Sequence, residues 1–177
     1  STLYLHEWGY GAPDYGPDLN QAHTYLQLTE QDHIAIDNWI EKQGFPHDLS
    51  TKSDTELFYI VFNAIKADHQ LKYHNDIVDE WASMSEFLQS QQGDCEDFSH
   101  LFYHTIHKLY QQVDREPPAD LQVVAVRLAV QDGHIGHSIV NATVDGVDMV
   151  FDLTGTHAKP VTYVDFIQSI DSKEYVR

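Results

Sequence analysis

His137-Ser138-Ile139-Val140-Asn141-Ala142-Thr143-Val144-Asp145-Gly146-Val147-Asp148-Met149-Val150-Phe151-Asp152-Leu153-Thr154 reads as two strands folded back on one another. Asp145-Gly146 is a dipeptide that tolerates positive φ at both positions, as a tight two-residue hairpin turn requires. Such a turn sets the register. Val144 faces Val147, His137 stands opposite Thr154, and Ile139 stands opposite Asp152. Side chains alternate along a strand, so His137, Ile139, Asp152 and Thr154 share one face. Val140, Ala142, Val144, Val147, Met149, Phe151 and Leu153 share the other, which is apolar enough to be core. A histidine and a carboxylate therefore become diagonal neighbours on the less apolar face, in reach of a hydrogen bond that would fix the imidazole tautomer. His134, in the Asp132-Gly133 turn before the strand, is the weaker candidate for a base.

Upstream, the Val-rich residues 121–130 extend the period-2 region, and Pro117-Pro118 closes what precedes it. There the period is 3.6: Phe98, Leu101, Phe102, Ile106 and Leu109 form one stripe of a helix running to about Gln112. That helix starts in Gly93-Asp94-Cys95-Glu96-Asp97, where Asp94 is a good N-cap and Asp97 completes a capping box with a shortened acid. Cys95 falls in the first turn, where free N–H groups and the helix dipole stabilise a thiolate. It shares the stripe of Phe98 and Phe102 and so faces inward. Asp94, Glu96 and Asp97 work against another negative charge, so an imidazolium or a bound cation has to offset them. The same acids also serve as ordinary helix caps, and a lone cysteine is commonly just a small buried hydrophobe. The juxtaposed His137 and Asp152 turn the balance toward a nucleophile (Cys95), a base (His137) and an orienting acid (Asp152).

The remaining segments frame a single domain over 1–177. Residues 1–30 form an irregular N-terminal segment, punctuated by Gly9, Gly11, Pro13, Gly16 and Pro17. Ile34, Ile36, Trp39 and Ile40 predict a helix over 32–42, stopped by Gly44 and Pro46. Asp54 is the expected cap of a second helix that buries Leu57, Phe58, Val61, Phe62 and Ile65, and a short third helix covers 84–91. Residues 161–170 read as a strand or a helix. Helices first and a mainly antiparallel sheet after them make an α+β domain. His100 and His104 lie one turn apart, as zinc ligands can, but without a third ligand they read as a solvated face.

The chain has ten Lys+Arg against 28 Asp+Glu, a formal net charge of −18. That balance speaks against nucleic acid and anionic membranes as partners, since both need a cationic surface. One cysteine excludes an internal disulfide, and no stretch approaches the ~20 apolar residues of a membrane span.

Asn75-Asp76-Ile77-Val78-Asp79-Glu80-Trp81-Ala82-Ser83-Met84-Ser85-Glu86-Phe87-Leu88, followed by Gly93-Asp94-Cys95-Glu96-Asp97-Phe98-Ser99, resembles the bacterial transglutaminase-like cysteine proteinases. Upstream, Phe58 to Asn63 and Tyr73 resemble that family's Asn-containing helix and the aromatic after it; downstream, Gly136-His137-Ser138-Ile139-Val140 resembles its histidine strand. The resemblance covers about residues 54–155. It departs from the family at Ser83-Met84, at Phe151-Asp152-Leu153-Thr154-Gly155 and in the extra residues 114–120.

The resemblance implies a papain-like fold, a Cys95-His137-Asp152 triad, and Ca²⁺ held by Asp94 and Glu96 with Asp97 as an addition. It also implies a periplasmic or secreted protease that cuts a protein substrate, a large surface adhesin, at a small-residue site. An inner-membrane cyclic-di-GMP receptor is the regulatory partner it implies. Trp81 is a candidate for the oxyanion site or a groove wall. Two alternatives remain open from the residues: acyl transfer to an amine, as in transglutaminases and amidases, and an inactive binding module of the same fold.

Overall fold

The computed structural model describes residues 4–7, 27–74, 82–130 and 133–171. Strands β1 (Tyr4–Glu7), β4 (Gln122–Val130), β5 (Gly133–Val144), β6 (Val147–Phe151) and β7 (Val161–Thr162) form one sheet in the order β1-β4-β5-β6-β7. In this sheet β1 pairs with β4 in parallel and the other three pairings are antiparallel. The helices are α1 (Glu30–Gln43), α2 (Asp54–Ala67), α3 (Met84–Ser90), α4 (Cys95–Gln112) and α5 (Tyr163–Asp171). A short parallel ladder joins β2 (Lys72–Tyr73) to β3 (Gln92–Gly93). The α+β expectation holds. Residues 4–7 pair as a strand, although their glycine-rich surroundings read as coil. Residues 161–170 supply both a strand and a helix.

Local chemistry accounts for the helix boundaries. Thr29 caps α1 reciprocally with Asp32, and Gly44 ends it at φ 62°, in the left-handed region that glycine enters at no steric cost. α2 is capped by Ser53, whose hydroxyl accepts from Glu56 N at 3.1 Å, rather than by Asp54. Asp54 sits one residue inside the helix and instead accepts from Tyr110 Oη and Arg115 Nη2, both at 2.5 Å. Burial, followed by this bond to Asp54, pushes the Tyr110 phenol far above its ordinary range, so the hydroxyl remains a donor.

The hairpin forms as its turn residues dictate. Asp145 and Gly146 adopt φ 48° and 80°, and the ladder runs from Val144↔Val147 to Val140↔Phe151. Asp145 Oδ2 also accepts from Thr55 N at 2.9 Å and Thr55 Oγ1 at 2.5 Å, which pins the hairpin tip to the first turn of α2.

The sheet is covered on both faces. On one, Phe58 and Phe62 of α2 and Phe102 of α4 meet Phe151, with Val123, Val140 and Ala142 around them. Phe102 stacks on Phe151 at 5.0 Å between centroids, and Phe58 lies 5.2 Å from the same ring. Each such buried side chain contributes about 1.5–3 kcal/mol of transfer free energy. On the opposite face, Phe166 of α5 covers Val124, Val126, Ile139 and Val150. The histidine-bearing face is therefore a second, smaller core rather than a polar one. Val147 leaves the expected core set: at the hairpin tip it is 46% exposed.

Candidate active site

α4 enters from a tightly packed corner. Gly93 pairs with Tyr73, and a Cβ there would lie 2.5 Å from both Asp97 Oδ2 and the Phe87 ring, so the corner needs glycine. The next residue, Asp94, gives its backbone N–H to Asp97 Oδ2 at 3.0 Å, the carboxylate half of the expected capping box. Cys95 then opens the helix, fully buried and in no disulfide. It is the first residue of α4, in the turn where the helix dipole favours negative charge.

The hairpin supplies the histidine and the carboxylate that the sequence singled out. His137 Nε2 lies 2.8 Å from Asp152 Oδ1, with both side chains at 1% exposure or less. The ladder proper stops at Phe151, but the chain continues in register far enough to deliver Asp152 to the imidazole. Because the carboxylate takes Nε2, Nδ1 is the ring nitrogen turned away from Asp152. Gly155 closes the turn behind Asp152: a Cβ at that position would overlap the carboxyl carbon and both oxygens.

The helix start meets the hairpin at an edge. Val144 and Val147 flank a two-residue turn as a hydrogen-bonded pair, so the even-numbered residues of β5 aim their backbone groups at β6. β6 ends opposite Val140, and Ser138 therefore presents its carbonyl to the space beyond that end. Ser99 Oγ fills it, donating to Ser138 O at 3.1 Å. Ser99 lies one helical turn after Cys95 on the same side of α4. This bond fastens the first turns of α4 beside the strand residue that follows His137. The face that carries His137 is the one packed under α5, and the body of α4 lies across the sheet from it. The early end of β6 leaves the Ser138 carbonyl open to Ser99 from the α4 side.

The acids around Cys95 are all withdrawn from solvent, Asp94 and Glu96 at 9% exposure and Asp97 at 4%. Their oxygen donors suit a hard cation in chemistry, but calcium takes about 6–8 oxygens. Among the described residues, no group of three or more His, Cys, Asp or Glu is gathered as a metal site. Asp97 is already engaged in the cap. Trp81 lies outside the described residues, as do Asn75, Asp76, Asp79 and Glu80.

His100 and His104 are buried at 0% and 6% exposure, not solvated as their polarity implied, because α4 is enclosed by the sheet and the other helices. His100 Nδ1 lies 2.7 Å from Glu96 O. Burial, and then the neighbouring His104, push the His100 imidazole down to about 3, so it remains neutral near pH 7 and serves as a strut. β5 begins at Gly133, so His134 stands within the strand and not in a turn before it. Lys66 at the end of α2 went unnoticed in the sequence. It reaches the Gly155 carbonyl at 3.1 Å, and only the fold shows that contact.

No protein-family model and no curated protein sequence matches the chain. Solved structures do. Legionella pneumophila LapG is similar with a TM-score of 0.52 and 19% identity, covering 82% of this chain and 75% of that one. Its calcium-bound form gives 0.52 and 16% over 83% and 77% of the two chains, and its EGTA-treated form gives 0.51 and 19% over 82% and 73%. The chain has a LapG-like fold. Among the described residues, no helix is long and apolar enough to cross a membrane.

Proposed function

We propose that the protein is a cysteine endopeptidase with Cys95 as nucleophile, His137 as general base and acid, and Asp152 as orienting carboxylate. The observation that carries this reading is the buried 2.8 Å His137–Asp152 bond beside a strand edge to which the start of the Cys95 helix is fastened. A histidine steered by a buried carboxylate, next to a thiol at a helix start, is the arrangement that thiol acyl chemistry requires. The LapG-like fold and the resemblance of the Cys95 box to the transglutaminase-like cysteine proteinases support it.

The thiolate of Cys95 attacks the peptide carbonyl carbon, and the negative charge moves to the carbonyl oxygen. The Cys95 backbone N–H is a donor for that oxygen. Nδ1 of His137 gives its proton to the amine nitrogen as the C–N bond breaks, leaving a thioester. Water then attacks the thioester carbon while Nδ1 takes its proton, and the carboxylic acid departs with Cys95 restored as thiolate. Asp152, through Nε2, holds the ring in the required tautomer and balances the imidazolium.

Calcium belongs to this reading as a charge partner, with Asp94 and Glu96 as its ligands and Asp97 beside them. When bound it would offset the acids that flank the thiolate. The calcium-bound and EGTA-treated forms of the LapG neighbour support this part. The partners carried over from the resemblance are a surface adhesin cut at a small-residue site and a cyclic-di-GMP receptor, with a periplasmic or secreted location.

The test uses fluorogenic peptides with an Ala-Ala core, with product masses read in the presence of a primary amine. Two fragments that disappear in Cys95→Ala support peptide hydrolysis. An amine adduct at the expense of the free acid would make the protein an acyltransferase, and unchanged cleavage by Cys95→Ala would remove the nucleophile.

A further inference from the structure

Asp152 is a carboxylate held at 1% exposure, and burying a charge is costly unless donors and cations surround it. His137 supplies one donor. The segment after the carboxylate then folds back, so that Gly155 comes within overlap distance of any Cβ placed there and its backbone packs directly on the carboxyl group. The loop's own backbone thus forms a seat for Asp152. A turn of irregular backbone needs an anchor to keep such a seat fixed, and the Gly155 carbonyl has one: Lys66 Nζ, 3.1 Å away.

Lys66 comes from the last turn of α2, a rigid element whose Phe62 and Ile65 are buried in the main core. Its ammonium also lies over the Phe62 ring, 5.8 Å from the centroid. It lines a cavity of about 320 Å³ with Phe98 from α4 and Leu153 and Thr154 from the loop. The titratable groups around that cavity are Asp68 and His69 from the exit of α2 and Lys72 and Tyr73 from β2, with Asp152 behind the loop. Burial lowers the ammonium's affinity for its proton, and the charge of Asp152 works to restore it.

We infer that Lys66 is a positioning residue for the proposed triad: by holding the Gly155 carbonyl it locks the loop 152–155 as a seat that presses the Asp152 carboxylate against His137. Lys66 touches neither the substrate nor the reacting sulfur. It acts through Gly155 and then Asp152 on the orientation of the imidazole. The inference rests on the triad reading, and the experiment separates the two.

The probe is iodoacetamide, with the pseudo-first-order alkylation rate of Cys95 followed by mass from pH 5 to 10. Melting temperature is measured alongside for wild type, Lys66→Met, Lys66→Arg, Gly155→Ala and His137→Ala. With Asp152 released, the imidazolium that pairs with the thiolate is weakened. Lys66→Met is expected to lower the rate at pH 7 by up to about a hundredfold, the scale of an ångström-sized misplacement. Its midpoint should move toward the ~8.5 of a free thiol. Lys66→Arg should restore most of both. Gly155→Ala should reproduce the Met variant, and if it fails to fold the Met and Arg pair decides alone. A Lys66→Met profile matching wild type, or one altered without rescue by Arg, overturns the positioning role. If His137→Ala also leaves the wild-type profile unchanged, the triad itself falls and the inference falls with it.

Discussion

Ser99 on α4 donates its hydroxyl to the carbonyl of Ser138 on β5, and that 3.1 Å bond is buried between a helix and a strand 39 residues apart. It stands in for a rung of the sheet that β6 does not supply. Ser99→Ala would leave a buried carbonyl with no donor from that side, at a cost of about 1–3 kcal/mol. Chemical denaturation should register that loss. The alkylation rate of Cys95 should fall further than stability alone accounts for, because the helix start loses its fastening to the strand edge.

Calcium should raise the melting temperature of the wild type and speed alkylation of Cys95, and EGTA should reverse both. Asp94→Ala should abolish the response to the ion. A binding ligand stabilises by mass action, about 2.7 kcal/mol at a hundred times its Kd, so the shift is readable by calorimetry. A flat titration in the wild type would take calcium out of the proposed mechanism.

The Phe58–Phe102–Phe151 cluster joins α2, α4 and β6 through fully buried rings. Phe102→Ala should cost about 3–5 kcal/mol, because a cavity beneath a stacked ring collapses only in part. Urea unfolding would show the midpoint fall with little change in slope.

Acid should weaken the fold through Asp145 and Asp32. Hydrogen bonds from the Thr55 side chain and then its backbone lower the Asp145 carboxyl. For Asp32, burial pulls upward, but bonds from Thr29 and Ser85 outweigh it and the net direction is down. A depressed carboxylate contributes stability that is present above its unfolded pKa, about 3.9, and is lost as pH falls through the folded value. Urea midpoints should therefore decline below about pH 4. Asp145→Asn, which keeps the turn's preference for positive φ, should make that decline shallower.

The sequence made the hairpin legible because Asp145-Gly146 leaves few alternatives for the turn, and a turn of known length fixes every pair beyond it. The pairing of His137 with Asp152 followed from that arithmetic. The α4 start was readable for a similar reason: cap residues act within one turn of chain. What was not readable depends on distant segments. The polarity of His100 and His104 gave no hint that α4 is enclosed on every side from Cys95 to Ile106, since enclosure is decided by β5 and the neighbouring helices. Asp54 has the chemistry of a cap, yet Ser53 took that place and freed it for Tyr110 and Arg115. Lys66 looks like any solubilising lysine until the loop after Asp152 folds over it. The side of the sheet on which α4 lies was not readable either, because a register fixes faces but not where a neighbouring strand stops.

β6 is a short strand, five residues against the twelve of β5. Two more rungs would give Ser138 a backbone partner and make the sheet more regular. They would also displace the Ser99 hydroxyl from that carbonyl and cut the bond that ties the first turns of α4 to β5. At this position, strand length sets a trade-off between a complete sheet and a helix-to-strand tie, and the chain has kept the tie.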